Sequence, residues 1–444
     1  MDESLPANGK GDTLSVGAKD QTNEKLQKAE AQPFKTSTNS PSVSAPTPSH
    51  GDSLAWLQVI GSFFLWFNTW GLVNAFGVYQ TYYQIDLLSS STPSAISWIG
   101  SLQVFLLMFG GFLIGPIYDR GYARALLAVG SFFLVFGQMM LSLCDQYWQV
   151  ILAQGLVQGI GCGLLFLPAV AILSTWFTTR LVTASGISAA GSGLGGVIYP
   201  IVFYRLEPRI GFGWATRVIG FIALATLTFS VSVMKAKSLP PAARQFFDLG
   251  ALRNVLFNLT NLGTFFLFTG LYIPLFYLEL YAIQSNFVDE RLGFYLLPIL
   301  NVGSVFGRVI PNYVADFVGA LNTAIICGLI TATISFCLIA VHNSAGAIAI
   351  AIFYGFFSGA IASLSPMLVV HATPERRKIG TWLGMGFAAV AIGLLIGNPI
   401  SGAILRSSSF KYAWLFSGLC LTVGSGFLVA ARIQKGGMHI IIKV

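Results

Sequence analysis

From Leu54 onward the chain alternates between long apolar runs and short polar breaks. Each run has the length of a bilayer crossing, roughly 20 residues at ~1.5 Å of helical rise. The pattern predicts twelve crossings, near residues 56–80, 96–117, 125–144, 148–173, 183–204 and 214–234, then 255–278, 293–311, 321–341, 345–370, 379–404 and 412–431. Lipid offers the backbone no hydrogen-bond partner, so such segments must be helices that bond internally. Residues 1–54 do not share the pattern. They are rich in Ser, Thr, Pro, Asn, Lys and Glu, lack apolar surface to bury, and read as a disordered cytoplasmic tail. The expected organisation is a six-helix bundle over 55–234, a cytoplasmic linker over 235–253, a second six-helix bundle over 254–432, and a short cytoplasmic tail over 433–444.

Composition sharpens the class. The chain is 55% hydrophobic and only 9% charged, where ordinary globular domains carry about 25% charge. An all-α, polytopic membrane protein follows, with the lipid bilayer as its constant partner. The formal charge of +8 does not point to nucleic acid, because no basic cluster with interleaved aromatics occurs. The cations sit in loops, and of the 25 Lys and Arg only Arg205, Arg209, Arg217, Arg291, Arg406 and Lys411 fall on the side opposite the N-terminus, with Arg308 inside a run. That asymmetry places both termini in the cytoplasm, and the plasma membrane is the expected location, with the vacuole or another internal membrane as the alternative.

Nothing suggests an enzyme. The five cysteines show no CxxC and read as free buried thiols. The four histidines (His50, His342, His371, His439) are expected in the tail, loops or C-terminus, without a partner spaced for a nucleophile or a metal. No GxxxxGK[ST] occurs, which argues against an ATP-driven pump. No cofactor and no metal are expected.

The two sets of six spans are related. Gly61-Ser-Phe-Phe-Leu recurs as Gly263-Thr-Phe-Phe-Leu, and Asp119, Pro168, Arg180, Pro200 and Trp214 are answered by Asp316, Pro366, Arg377, Pro399 and Trp414. Every shift falls within a few residues of 200, which describes two pseudo-symmetric bundles in parallel, rocking about a midplane site.

Two stretches carry candidate function. From Trp176 to Gly196 a cationic corner precedes a helix of small residues, in which Gly186, Gly191, Gly193 and Gly195 are expected to let other backbones approach closely. Such a helix either makes a tight fixed pair or slides against its neighbours. The second is Arg308, eight residues before Asp316 and so ~12 Å into a ~30 Å hydrocarbon layer. An arginine there costs ~2.5–3.5 kcal/mol or more on insertion scales, so it faces a cavity or a partner. Its planar fork suits a carboxylate, and Asn301 and Ser304 lie on the same helical face. The alternative is an arginine that ties two helices through carbonyls and water.

GPIYDRGYAR (Gly115 to Arg124) resembles the loop between helices two and three of the major facilitator superfamily. Trp176, Phe177, Arg180, Ala184, Gly186, Ala190, Gly191 and Gly195 resemble the fifth-helix signature of its monocarboxylate transporter family, and the first span is similar to the fungal branch. The resemblance implies the twelve-helix major facilitator fold and a substrate-anchoring role for Arg308. It also implies that Asp119, Arg120, Arg124 and Arg180, with Asp316, Arg376 and Arg377, form an ionic latch on the cytoplasmic side. For the cations at 180 and 376 a purely topological role stands beside that one. Asn74 and Ser304 occupy the positions where the family has a proton-handling lysine and acid, so proton coupling is left open; Asn74 reads either as a packing amide or as a ligand.

The expected function is alternating-access transport of a small, monocarboxylate-like organic anion anchored by Arg308, Ser304, Asn301 and Asn74. The alternatives are export of a secondary metabolite or vitamin-like compound and, remotely, a non-transporting nutrient sensor.

Overall fold

The computed structural model describes residues 53–177, 181–237, 245–285, 288–375 and 378–437, and every regular element among them is helical. The spanning helices α1 (Ser53–Leu87), α2 (Pro93–Asp119), α3 (Ala123–Leu141) and α4 (Tyr147–Trp176) come first. The next helix, Leu181–Val233, is too long for one crossing and breaks at Gly211, where φ is 76° and ψ 164°. A side chain would strain that backbone, so glycine marks the corner between α5 (181–210) and α6 (212–233). After a single turn at Leu249–Arg253 come α7 (Val255–Gln284), α8 (Glu290–Val318), α9 (Ala320–Ala340), α10 (Ser344–Ala372), α11 (Ile379–Ser407) and α12 (Phe410–Gly436). Eleven apolar helices thus make twelve crossings, the fold expected. Several begin on a polar cap in the break before the apolar run: Thr92 accepts from the Ala95 amide (3.2 Å), Asn254 from Phe257 (2.9 Å) and Asn343 from Gly346 (2.7 Å).

The internal repeat survives in three dimensions. Helices α2, α3 and α4 begin at Pro93, Ala123 and Tyr147, and α8, α9 and α10 at Glu290, Ala320 and Ser344, a shift of 197 each time. Packing repeats as well. A Cβ at Gly191 or Gly195 of α5 would strike the Phe63 or Phe67 carbonyl of α1, and one at Gly393 or Gly397 of α11 the Phe265 or Thr269 carbonyl of α7. All four contacts obey one shift of 202. Gly61 lies against Met234 and Gly263 against Leu428, so α1 meets α6 as α7 meets α12.

We call the end of the bundle holding Ser53 and the linker the near face, and the other the far face. At the far face the two sets of helices touch. Ser94 of α2 donates to the Pro399 carbonyl of α11 (2.9 Å), and the Ser97 hydroxyl bonds to that of Tyr277 on α7. Phe76 packs on Phe276 (4.7 Å between centroids), Tyr204 stacks on Phe294 (3.9 Å), and Arg205 donates to the Tyr295 hydroxyl (2.9 Å). At the near face the linker is pinned. Asp248 accepts from the Trp382 indole (3.0 Å) and pairs with Lys378 (3.2 Å), while Thr381 donates to the Gln245 carbonyl (3.0 Å). Phe246 meets Phe112 of α2 edge-on (6.2 Å).

Candidate substrate site

Arg308 lies ten residues before the end of α8, about 15 Å along the axis. Pro311 inside the same helix leaves the carbonyl of residue 307 without its usual amide donor. Asn312 steadies this stretch, donating to the Arg308 carbonyl and to the Ser363 hydroxyl of α10 (2.7 Å). The guanidinium crosses from α8 to α5 and donates through Nη1 to the Ser192 hydroxyl. That hydroxyl in turn donates to the Ala189 carbonyl (2.5 Å), and the Ser192 carbonyl accepts from Asn74 of α1 (3.4 Å). Among the described residues no carboxylate pairs with Arg308. Its planar fork is half-buried and has donors in excess of its partners.

Two expected neighbours face elsewhere. Asn301 is 1% exposed, and its amide donates to the Gly196 carbonyl of α5 (3.2 Å) and the Leu297 carbonyl (3.1 Å). It ties α8 to α5. Ser304 sits against Gly359 of α10, where a Cβ would come within 2.8 Å of its hydroxyl. Both share a helical face with Arg308, as the spacing predicts, but neighbouring helices fill that face. Asn74, bonded to the Ser192 carbonyl, is a packing amide in this arrangement.

The glycines of α5 divide between two partners. Gly191 and Gly195 admit α1, while Gly193 meets Val305 and Gly196 meets Asn301 on α8. Gly186, expected in the same stripe, has nothing within 4 Å of a built Cβ. It lies beyond the helix crossing, near the start of α5.

The expected latch is only partly within view. Arg180, Arg376 and Arg377 lie outside the described residues. Asp119 is buried and Asp316 exposed, while Arg120 and Arg124 are exposed. The near-face ion pair between Lys378 and Asp248 uses the linker instead. The indole of Trp382, then the Gly250 amide and Lys378, hold the Asp248 carboxyl below the ordinary carboxylate range. Asp248, then Glu375, hold Lys378 above the ordinary lysine range.

Two smaller expectations change. His371 lies in the last turn of α10 rather than in a loop, with its ring on the Met367 carbonyl (2.7 Å). Cys337 is exposed. Gln154 and Gln158 belong to a buried amide network, in which Tyr83 donates to Gln154 (2.7 Å) and Gln158 to Gln138 (2.8 Å).

Ser192 is the residue the sequence reading missed. It sits inside the small-residue stretch, where a serine looks like one more packing residue.

Twelve helical crossings with repeated packing and a cation at mid-depth define a membrane transporter. The chain belongs to the major facilitator superfamily, whose family model matches residues 56–320. It is 48% identical over 387 residues to "MFS-type transporter dbaD" of Emericella nidulans, covering 86% of this chain and 87% of that protein. It is 38% identical over 392 residues to "Aspyridones efflux protein apdF" of the same organism (88% and 80% covered). To "Agnestins efflux protein AgnL12" of Paecilomyces divaricatus it is 34% identical over 399 residues (90% and 92%).

Proposed function

We propose that the chain exports a small organic product, a secondary metabolite bearing an anionic or strongly hydrogen-bonding oxygen, by alternating access. Two similar proteins are named as efflux proteins, one for aspyridones and one for agnestins, which favours export over uptake of a simple monocarboxylate. The observation that carries the reading is the Arg308–Ser192 bond across the contact of α5 and α8. A guanidinium held by a neutral hydroxyl, not neutralised by a carboxylate, keeps its charge for cargo. An incoming carboxylate takes the place of that hydroxyl with a stronger, charge-assisted pair. The near face is then the cytoplasmic one, in the plasma membrane, and the sealed far face is the state that receives cargo from inside. Parting of Ser97 from Tyr277 and of Phe76 from Phe276 opens the exit. No acid faces Arg308 among the described residues, which suits a proton travelling on the cargo, or none at all.

The test is deletion in the producing organism, followed by mass spectrometry of medium and cells. A compound that moves from medium to cell interior, and returns with the wild-type chain but not with Arg308→Ala, is the expected result. An unchanged distribution of every small product refutes export.

A further inference from the structure

Beside the contact of Arg308 with Ser192 the interface carries a cluster of aromatic rings. Trp66 and Trp70 of α1 stack one turn apart (6.5 Å between centroids, 20° between planes). Phe166 of α4 meets both edge-on, at 5.5 and 6.1 Å. Across the interface Tyr272 of α7 lies 6.3 Å from Trp70, and Phe387 of α11 lies 5.7 Å from Phe166. Four helices thus each contribute to one cluster, and Arg308 is joined to its α1 side through Ser192, whose carbonyl accepts from Asn74 one turn after Trp70. Trp70, Phe166 and Tyr272 are each at most 5% exposed, whereas Trp66 and Phe387 are half-buried at its edge.

Inside the cluster one polar atom is unsatisfied. The Trp70 indole N–H is buried and has no hydrogen-bond partner among the described residues. A buried donor left unmade is costly, and a native structure that keeps one has a reason. In this closed arrangement the rings satisfy one another edge-on, so a flat guest enters by replacing ring-to-ring contacts with its own.

We propose that this cluster is a recognition box for planar aromatic acids: the ring system lies among Trp70, Phe166, Tyr272 and Phe387, the Trp70 N–H donates to a ring-borne oxygen, and the acid group meets Arg308. This rests on the export reading and narrows it to a cargo class. Selection between acids of equal size and charge then comes from the rings, while Arg308 contributes to every anion alike. Trp66, at the edge, meets the cargo on entry from the near face.

The experiment is calorimetric titration of the full chain in nanodiscs with four probes. These are 2-naphthoate, its saturated counterpart decahydro-2-naphthoate, uncharged 2-naphthylmethanol, and 3-hydroxy-2-naphthoate. The box predicts that naphthoate binds about tenfold more tightly than the saturated acid, a difference of about 1.4 kcal/mol. Trp70→Leu and Phe166→Leu should erase that preference while leaving the saturated acid's affinity in place, which also shows that the variants are folded. Trp70→Phe should keep the ring preference and bind naphthylmethanol unchanged, but lose several-fold for 3-hydroxy-2-naphthoate, which carries a ring-borne oxygen. Arg308→Gln should weaken both acids equally and spare the alcohol. Equal affinity of the flat and saturated acids in the wild-type chain overturns the box. Vesicle efflux separates the two readings: if both acids are carried at the same rate, export stands and the box falls, and if naphthoate binds selectively but no probe crosses, the box stands and export falls.

Discussion

The hydroxyl of Ser192 on α5 accepts a hydrogen bond from the guanidinium of Arg308 on α8, and the carbonyl of the same serine accepts from Asn74 on α1. One small residue therefore connects the first helix to the only arginine at mid-depth among the described residues. Removing Ser192 by Ser192→Ala frees the fork without removing charge. Because cargo no longer has to displace that hydroxyl, the expected effect is a several-fold fall in the half-saturating concentration for an anionic cargo with a nearly unchanged maximal rate, about 1 kcal/mol. Arg308→Ala, by contrast, should abolish transport while the protein stays inserted. Concentration dependence of vesicle uptake or efflux distinguishes the two.

The glycines of α5 make a contrasting pair. Gly195→Val puts bulk against the Phe67 carbonyl and Gly71 of α1, where overpacking costs roughly 1–3 kcal/mol. Thermal unfolding in detergent should drop accordingly, with Gly397→Val, its counterpart against Thr269, behaving alike. Gly186→Ala meets open space. Alanine is the better helix former there by up to about 1 kcal/mol, so this variant should be neutral or more stable.

At the linker the direction of the pH effect follows from the two shifted groups. The Asp248 carboxyl titrates below its unfolded value of about 3.9, so its contribution is full above that pH and fades as pH falls through the depressed value. The Lys378 ammonium titrates above about 10.4, so its contribution is full below that pH and fades as pH rises through the raised value. Between about pH 5 and 9 both groups keep their charges. Hydrogen-exchange protection of residues 245–253, corrected for intrinsic rates, should be flat across that window. Asp248→Asn should lower it at every pH.

The far-face seal predicts a lock. With the native cysteines replaced, Phe76→Cys and Phe276→Cys stand where two rings meet at 4.7 Å. A short bifunctional thiol reagent should bridge them, stop export, and release it on reduction. Export that continues with the bridge in place contradicts exit through this face.

Much of this architecture is legible in the chain itself. Apolar run length gives the crossings, because a bilayer sets one length for all of them. The repeat of Gly61 as Gly263 and of Pro168 as Pro366 foretells paired packing, because the same contacts recur where the same small residues do. Side-chain direction was less legible. Asn301, Ser304 and Arg308 share a helical face, yet the backbone of α5 takes the first, α10 packs over the second, and only the third reaches the Ser192 hydroxyl. Periodicity says which residues point the same way and not which helix stands opposite.

By itself the sequence determined the membrane class, the number of crossings, the doubling of the fold and the one deep cation, all consequences of local hydrophobicity and of spacing along one chain. Only the tertiary structure decided that Ser192 meets Arg308, that the linker is tied through Asp248 and Trp382, and that rings from four helices gather beside the arginine. Those contacts join residues more than fifty positions apart. Their partners are chosen by how whole helices pack, which no short window of sequence encodes.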